Sequence, residues 1–307
     1  MTHQPVLLQE TIDYLIADPN GLYIDCTLGG GGHLQALITR LDEQARIIAL
    51  DRDPVILQQT SRKFGDSRIQ FIHADFRELK RVVARDDWGK ADGIMIDLGV
   101  SSFQLDTSQR GFSFHSEAEL DMRMDTTQEL RAWDIVNQYL ESELADIIYR
   151  YGEERYSRRI ARAIVKARSS NNIDTTLELA EIVRQSVPAR YRREKHPARR
   201  TFQAIRMAVN DELDAIEKVL PQAVEALKPG GRLAVITFHS LEDRIVKQFF
   251  ADKSRDCICP PKLPVCTCGG HKAEVILVNR KPVTAGENEC LNNHRARSAK
   301  LRVAQKL

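Results

Sequence analysis

The sequence predicts an α/β fold, a largely parallel sheet into which an all-helical stretch is inserted. Three observations predict it. Residues 21–33 read GLYIDCTLGGGGH, an apolar run that ends in Asp25, four glycines, and then a helix-like stretch from His33 onward. Further short apolar runs end in Asp51, His73 and Asp97, each followed by turn or polar residues. Between Leu98 and Leu233 the strand pattern stops and helical periodicity replaces it.

Residues 6–17 read as an amphipathic helix with Val6, Leu7, Ile12, Leu15 and Ile16 as its apolar positions. Strand one, the turn at Gly29, Gly30, Gly31 and Gly32, and helix one follow. Strand two covers 46–51. Asp53 then caps a helix whose first position is Pro54, where proline is at home. Strand three covers 69–73 and runs into Ala74, Asp75 and Phe76; strand four covers 93–98 and breaks at Gly99. Residues 100–125 have no clean period and are rich in Ser, Asp and Phe; a loop of that length within a domain is usually functional.

Helical patterns cover 128–168 and 175–187, a basic segment covers 189–200, and one long helix is predicted over 201–220. Residues 227–232, LKPGGR, stop a helix and turn. Strand five covers 233–238, a helix covers 241–250, and strands are expected over 273–279 and 300–303. The domain division that follows is 1–110 for the first part of the α/β domain, 111–212 for the helical insertion and 213–307 for the second part, with a cysteine-containing loop at 257–268.

Bulk properties narrow the class. Hydrophobic content of 42% and charged content of 29% describe an ordinary soluble protein. No apolar run approaches the roughly 20 residues that span a bilayer, so no membrane partner is expected. The N-terminus, MTHQPVLLQE, lacks a basic region followed by an apolar one, which excludes a secretory signal and makes the cytoplasm the expected compartment. The net charge is only +2, yet residues 150–168 hold seven Arg or Lys against two Glu, and residues 190–200 hold six against one. That asymmetry reads as a basic face for phosphate or as two solvated helix faces.

Glycines at a strand end let backbone N–H groups approach a ligand, and the helix N-terminus adds partial positive charge, so an anionic guest is expected there. A carboxylate at the end of strand two, here Asp51, can take both hydroxyls of a ribose. The run does not fit G-x-G-x-x-G, because its sixth position falls on Leu34 or beyond. It is no Walker loop either, since His33 rather than Lys follows Gly32. An acid before the turn, glycines within it and an acid after the second strand resemble an S-adenosylmethionine site. An NAD-dependent oxidoreductase and a non-catalytic RNA-binding factor on the same fold are the rival readings. Phe76 reads as a flank for an adenine ring or as core. In open α/β sheets ligands lie beyond the carboxyl ends of the strands, which gathers Asp25, Asp51, Asp97 and His239 at one cleft. Methyl transfer to a conjugated exocyclic amine needs chiefly alignment, helped by an acceptor for its N–H. Asp97 is the candidate catalytic residue, and a strand-end cap or a cofactor contact is its alternative role.

Eight stretches carry a specific resemblance: DCTLGGGGH (25–33), ALDRDP (49–54), DLGVSSFQLD (97–106), RGFSF (110–114), LDMRMD (120–125), YGEERYSRRIARAI (151–164), RTFQAIRMAVNDEL (200–213) and PGGRLAVITFHSLEDRIVK (229–247). Together they span nearly the whole chain and resemble the bacterial 16S ribosomal RNA cytosine-N4 methyltransferase family (RsmH/MraW). The resemblance implies a Rossmann-like class I methyltransferase sheet with an inserted all-helical, RNA-recognising domain. It also implies S-adenosylmethionine as cofactor and, as partner and substrate, 16S rRNA of the small ribosomal subunit, methylated at N4 of a cytidine near the P-site of the decoding centre. Carried over by motif, the cofactor contacts are Gly31, Gly32, His33, Asp51, Phe76, Asp97 and Gln104. Asp97-Leu98-Gly99-Val100 stands where many amino-methyltransferases carry Asp/Asn-Pro-Pro-aromatic. For the substrate, Arg158, Arg159 and Arg162 are expected to meet RNA phosphate. His239, with Glu242, reads as a base or RNA contact, or as a structural hydrogen-bonder. Cys257, Cys259, Cys266 and Cys268 read as a zinc grip, a redox pair or a plain ordered loop; no metal ligand is assigned to the transfer chemistry.

Overall fold

The structure, a computed structural model, describes residues 5–85, 88–192, 196–257, 259, 265, 267–270 and 272–307. Among these, two compact units form: residues 1–99 with 213–307, and residues 100–212. In the first unit the apolar runs become strands β1 (Leu22–Asp25), β2 (Arg46–Asp51), β3 (Ile69–His73), β4 (Ala91–Asp97) and β5 (Leu227–Thr237), all parallel. Two further strands, β6 (Val275–Leu277) and β7 (Lys300–Lys306), close the edge, β7 lying antiparallel between β5 and β6. The order is β3-β2-β1-β4-β5-β7-β6. It is the Rossmann-like sheet that the resemblance implies, and β1 and β4 flank its switch point, where open α/β sheets bind ligands.

Side chains of these strands alternate between two cores, so both sheet faces are buried, as parallel sheets require. Leu22, Ile24, Ile48, Leu50, Ile94, Ile96, Leu233 and Val235 join one core; Tyr23, Ile47, Ala49, Met95, Ala234 and Ile236 join the other. Helix α1 (Leu8–Leu15) precedes β1, and α2 (Gly32–Arg40), α3 (Pro54–Ser61) and α4 (Leu79–Arg85) connect β1 to β2, β2 to β3 and β3 to β4. The N-cap of α3 is Asp53, whose Oδ1 accepts from Val55 N at 3.0 Å and Ile56 N at 3.3 Å. β4 and β5 start earlier than the sequence suggested, at Ala91 and Leu227. The Pro229-Gly230-Gly231 turn is taken up as a shift in their register, with Gly230 at φ 83°.

The helical unit carries α5 (Ser102–Asp106), α6 (Ala132–Gln138), α7 (Glu141–Gly152), α8 (Ser157–Arg168), α9 (Thr176–Ser186) and α10 (Ala198–Val209) around its own apolar core. The continuous pattern over 128–168 is thus three helices. Glu153, at φ 47°, ends α7, and Arg168 donates to the carbonyls of Val136 and Tyr139 at the end of α6. The single helix expected over 201–220 is two, α10 and α11 (Glu212–Ala226). Asn210 explains the break: its side chain donates to Met122 O at 2.7 Å and accepts from Met124 N at 2.8 Å. The unit boundary falls at Gly99–Val100 rather than at 110–111. Residues just before 111 belong to the helical unit because Arg110 donates to the carbonyls of Arg123 and Met124 and accepts from Met122 N. After β5 come α12 (Ser240–Lys253) and α13 (Glu287–Asn292). Among the described residues no helix is long and apolar enough to cross a membrane.

Candidate functional site

The carboxyl ends of β4, β1 and β2 are adjacent, and each presents an aspartate: Asp97, Asp25 and Asp51. Backbone and hydroxyl groups lock them together. Thr27 N donates to Asp25 Oδ1 at 3.0 Å, while Thr27 Oγ1 accepts from Asp97 N at 2.7 Å. Asp51 clamps the glycine turn, accepting from Gly29 N through Oδ2 and from Asp53 N through Oδ1, both at 2.8 Å. Thr27 was not singled out in the sequence; a hydroxyl two residues past a strand-end aspartate is its only signal there.

The glycine run divides by role. Gly31 sits at φ 82°, and a Cβ there would stand 2.7 Å from the Phe64 ring; one on Gly32 would stand 2.1 Å from Pro5 Cγ. Both are therefore glycine because the protein packs against them. A Cβ on Gly30 meets nothing within 4 Å. Gly31→Ala is accordingly expected to destabilise the fold by about 1–3 kcal/mol. Gly30→Ala is expected to leave the melting temperature nearly unchanged and to weaken the ligand alone. Thermal melts and calorimetric titration of both variants check this, and a fold loss at Gly30 would refute the division.

Burial sets the electrostatics of the three acids. Burial pushes the Asp25 carboxyl up to about 7, against the Thr27 N–H bond and with help from Asp51. Burial pushes Asp51 up to about 6, opposed by its bonds from Asp53 and Gly29. Asp97 rises to about 8 through burial, then through Asp25 and Glu242. Its side chain keeps 27% of its surface, while Oδ1 is buried and accepts no hydrogen bond among the described residues. A positive neighbour would favour the ionised form of each acid, while the glycine turn and the helix end remain suited to an anionic group.

His33, in the first turn of α2, is buried; its Nε2 lies 3.2 Å from Val6 O and its Nδ1 3.8 Å from Asp97 Oδ2. Phe76 follows β3 and lies in the core beside Leu79 and Val82, while Asp75 is held by Arg77 at 2.9 Å and by Arg52 at 3.7 Å. His239 and Glu242 form the reciprocal cap of α12. Glu242 Oε2 accepts from Phe238 N at 2.8 Å, Glu242 N reaches His239 Nδ1 at 3.4 Å, and His239 Nε2 stands 3.0 Å from Glu242 Oε1 without the alignment of a hydrogen bond. The cap gives both residues a structural role, with H-x-x-E before a helical run as its sequence signal, and leaves the buried His239 Nε2 outside its hydrogen bonds.

The structure thus brings together Asp25, Asp51, Asp97, His33 and the glycine turn. Gln104 and the arginines belong to the helical unit. There Gln104 is buried, and its Oε1 accepts from Ser101 N at 3.1 Å in the cap of α5. Arg158, Arg159 and Arg162 are exposed on α8, with Arg162 3.5 Å from Glu141. Other cations of the basic stretches are spent on the unit itself: Arg155 stacks on Tyr156 and Tyr191, and Arg200 donates to Glu153 O at 3.0 Å. Residues 193–195 of the basic segment lie outside the described residues.

Comparison with known proteins follows the same line. The sequence pattern of the MraW methylase family matches residues 1–307. The chain is 50% identical over 308 residues to the ribosomal RNA small subunit methyltransferase H of Brevibacillus brevis, covering 99% of this chain and 98% of that one. It is 51% identical over 309 residues to the protein of the same name from Carboxydothermus hydrogenoformans, covering 100% and 98%. A solved rRNA methylase from Streptococcus thermophilus aligns over 100% of this chain and 99% of its own at a TM-score of 0.43 and 10% identity, too distant a likeness to carry an assignment.

Proposed function

The chain belongs to the MraW methylase family, and on that premise we propose that it methylates N4 of a cytidine in the decoding centre of 16S rRNA, near the P-site of the small subunit, in the cytoplasm. It is an rRNA methyltransferase that uses S-adenosylmethionine. When bound, that cofactor supplies a methyl group made electrophilic by a positively charged sulfur. The residues fit such a guest. Three carboxyls whose ionisation burial disfavours stand at adjacent strand ends and gain from a cationic neighbour, and Asp97 Oδ1 is a buried acceptor still owed a donor.

Asp51 would take the ribose hydroxyls, and the open side of Gly30 would face the amino-acid portion. Phe76 and Gln104 remain proposed cofactor contacts by resemblance. Asp97 does the work at the acceptor. The positive sulfur of a bound cofactor would favour the ionised form of Asp97, and that carboxylate would take an N–H of the exocyclic amine, aligning it and raising the electron density on nitrogen. Once methylated, that nitrogen is strongly acidic, and its proton passes to Asp97, whose raised affinity for protons suits an acceptor near neutral pH. His33 Nδ1 stands 3.8 Å from Oδ2 of the same carboxylate. The base must leave its stack to reach this edge, as in other enzymes that act on a nucleobase.

The place of Asp97, at the end of β4 beside Asp25 and the glycine turn with 27% of its side chain still exposed, is the observation that carries this reading. Incubating the protein with small subunits and labelled S-adenosylmethionine, then mapping the modified nucleoside by mass spectrometry, tests it. N4-methylcytidine at one decoding-centre position is expected; label in another nucleoside, or none, would overturn it.

Arg158, Arg159 and Arg162 are the proposed phosphate contacts. Replacing all three with Gln is expected to lower RNA affinity about tenfold or more at physiological salt and to reduce the salt slope by roughly 2–3. The melting temperature should hold, because the side chains are exposed and the Arg162–Glu141 pair is worth little at a surface. An unaltered slope would return these arginines to a solvated face.

A further inference from the structure

Beyond α12 the chain enters a loop that no step above uses. The protein closes the root of that loop itself: Glu274 N donates to Lys253 O at 2.8 Å, Ala273 N to Asp256 Oδ1 at 3.2 Å, and the side chains of Lys253 and Glu274 pair. Within the loop the Sγ atoms of Cys257, Cys259 and Cys268 all lie within 4.8 Å of one another. Cys266, the fourth cysteine of the sequence cassette, lies outside the described residues.

The spacing is informative. Two thiolates on one tetrahedral zinc, each at about 2.3 Å, stand roughly 3.8 Å apart, whereas a disulfide draws its sulfurs to about 2.05 Å. Cys257 Sγ and Cys268 Sγ, from opposite limbs of the loop, are 3.7 Å apart. A second feature points the same way. Thr267 N donates to Cys259 Sγ at 3.2 Å, and a backbone N–H aimed at sulfur stabilises the thiolate that a metal requires. Gly269 and Gly270, at φ 69° and 80°, then let the chain turn away directly after Cys268.

We propose that Cys257, Cys259 and Cys268 hold a zinc ion that clips the loop between α12 and β6. Sulfur ligands of this kind select zinc over the oxygen-loving Mg²⁺ and Ca²⁺. On binding, the three thiols release three protons to solvent and three Zn–S bonds form; no electron is transferred. The site takes no part in methyl transfer, so its loss is read in metal content and loop order rather than in the chemical step.

The test uses the full-length protein. Purified from zinc-supplemented growth, it is expected to carry one zinc per chain by elemental mass spectrometry and to release it to a thiol-reactive mercurial. Exchange with cobalt(II) should produce the near-ultraviolet charge-transfer absorption of thiolate ligands. Cys257→Ser and Cys268→Ser should each lose most of the metal, and Cys259→His should retain it. Cys290→Ser, whose Sγ instead donates to Ala285 O, should keep its zinc. S-adenosylhomocysteine binding confirms that each variant is folded. A metal-free protein that takes up neither zinc nor cobalt would overturn the proposal. An intact mass lighter by two hydrogens with Cys257 and Cys268 crosslinked would do so as well.

Discussion

Asp97→Asn is expected to lower the methyl-transfer rate by roughly 10²–10⁴-fold, the usual worth of a positioned proton acceptor, while S-adenosylhomocysteine still binds. The amide keeps the size of the side chain and leaves the Asp97 N to Thr27 Oγ1 bond in place. What it removes is the ability to take a proton. The loss should therefore fall on kcat, with KM for the RNA little changed. A second readout is independent of turnover. The Asp97 carboxyl in the fold titrates at about 8, well above its ordinary 3.8, so between those values the folded chain holds a proton that the unfolded chain has released. Unfolding free energy must then fall as pH rises through that window. Asp97→Asn removes this group from the balance. The ligand-free variant should be more stable than the parent at pH 8.5 by on the order of 1–3 kcal/mol, with the difference shrinking towards pH 4. Melts at the two ends of the range measure it. A variant that methylates at the parental rate would exclude Asp97 from the chemistry. A pH slope identical in parent and variant would mean that the carboxyl is not held neutral.

Parts of this site were legible from the chain and parts were not, for physical reasons. β1 and β2 begin and end where the apolar runs do, because a strand buried on both faces has little choice of register; β3, half-buried at the sheet edge, keeps the bounds of its run as well. The acids at Asp25, Asp51 and Asp97 were visible for the same reason, each being the first polar residue after such a run. The roles of the glycines were not visible. What makes Gly31 and Gly32 obligatory is Phe64 and Pro5, residues brought up by the fold and not by local sequence. The break at Asn210 was hidden likewise, since it depends on Met122 and Met124, far away in the chain. The raised proton affinity of the three acids was hidden as well, because the burial that causes it arises only once the strands are side by side.

Asp51→Ala is expected to weaken S-adenosylhomocysteine by about 100-fold, and the reason is double. The carboxylate would lose its hydrogen bonds to the ribose, worth roughly 1.5–3 kcal/mol for a charged acceptor. It would also release Gly29 N and Asp53 N, the two donors with which it now holds the turn. Orphaned backbone donors cost about 1–3 kcal/mol each, only partly offset by removing an acid that burial has pushed up to about 6. A lower melting temperature should therefore accompany the lower affinity, and the two causes must be separated. A ligand lacking the ribose 2′-hydroxyl does so through a double-mutant cycle. Removing that hydroxyl should weaken binding to the parent protein by an order of magnitude or more and should cost Asp51→Ala almost nothing further. Equal losses in both proteins would show that Asp51 only braces the glycine turn and never touches the sugar.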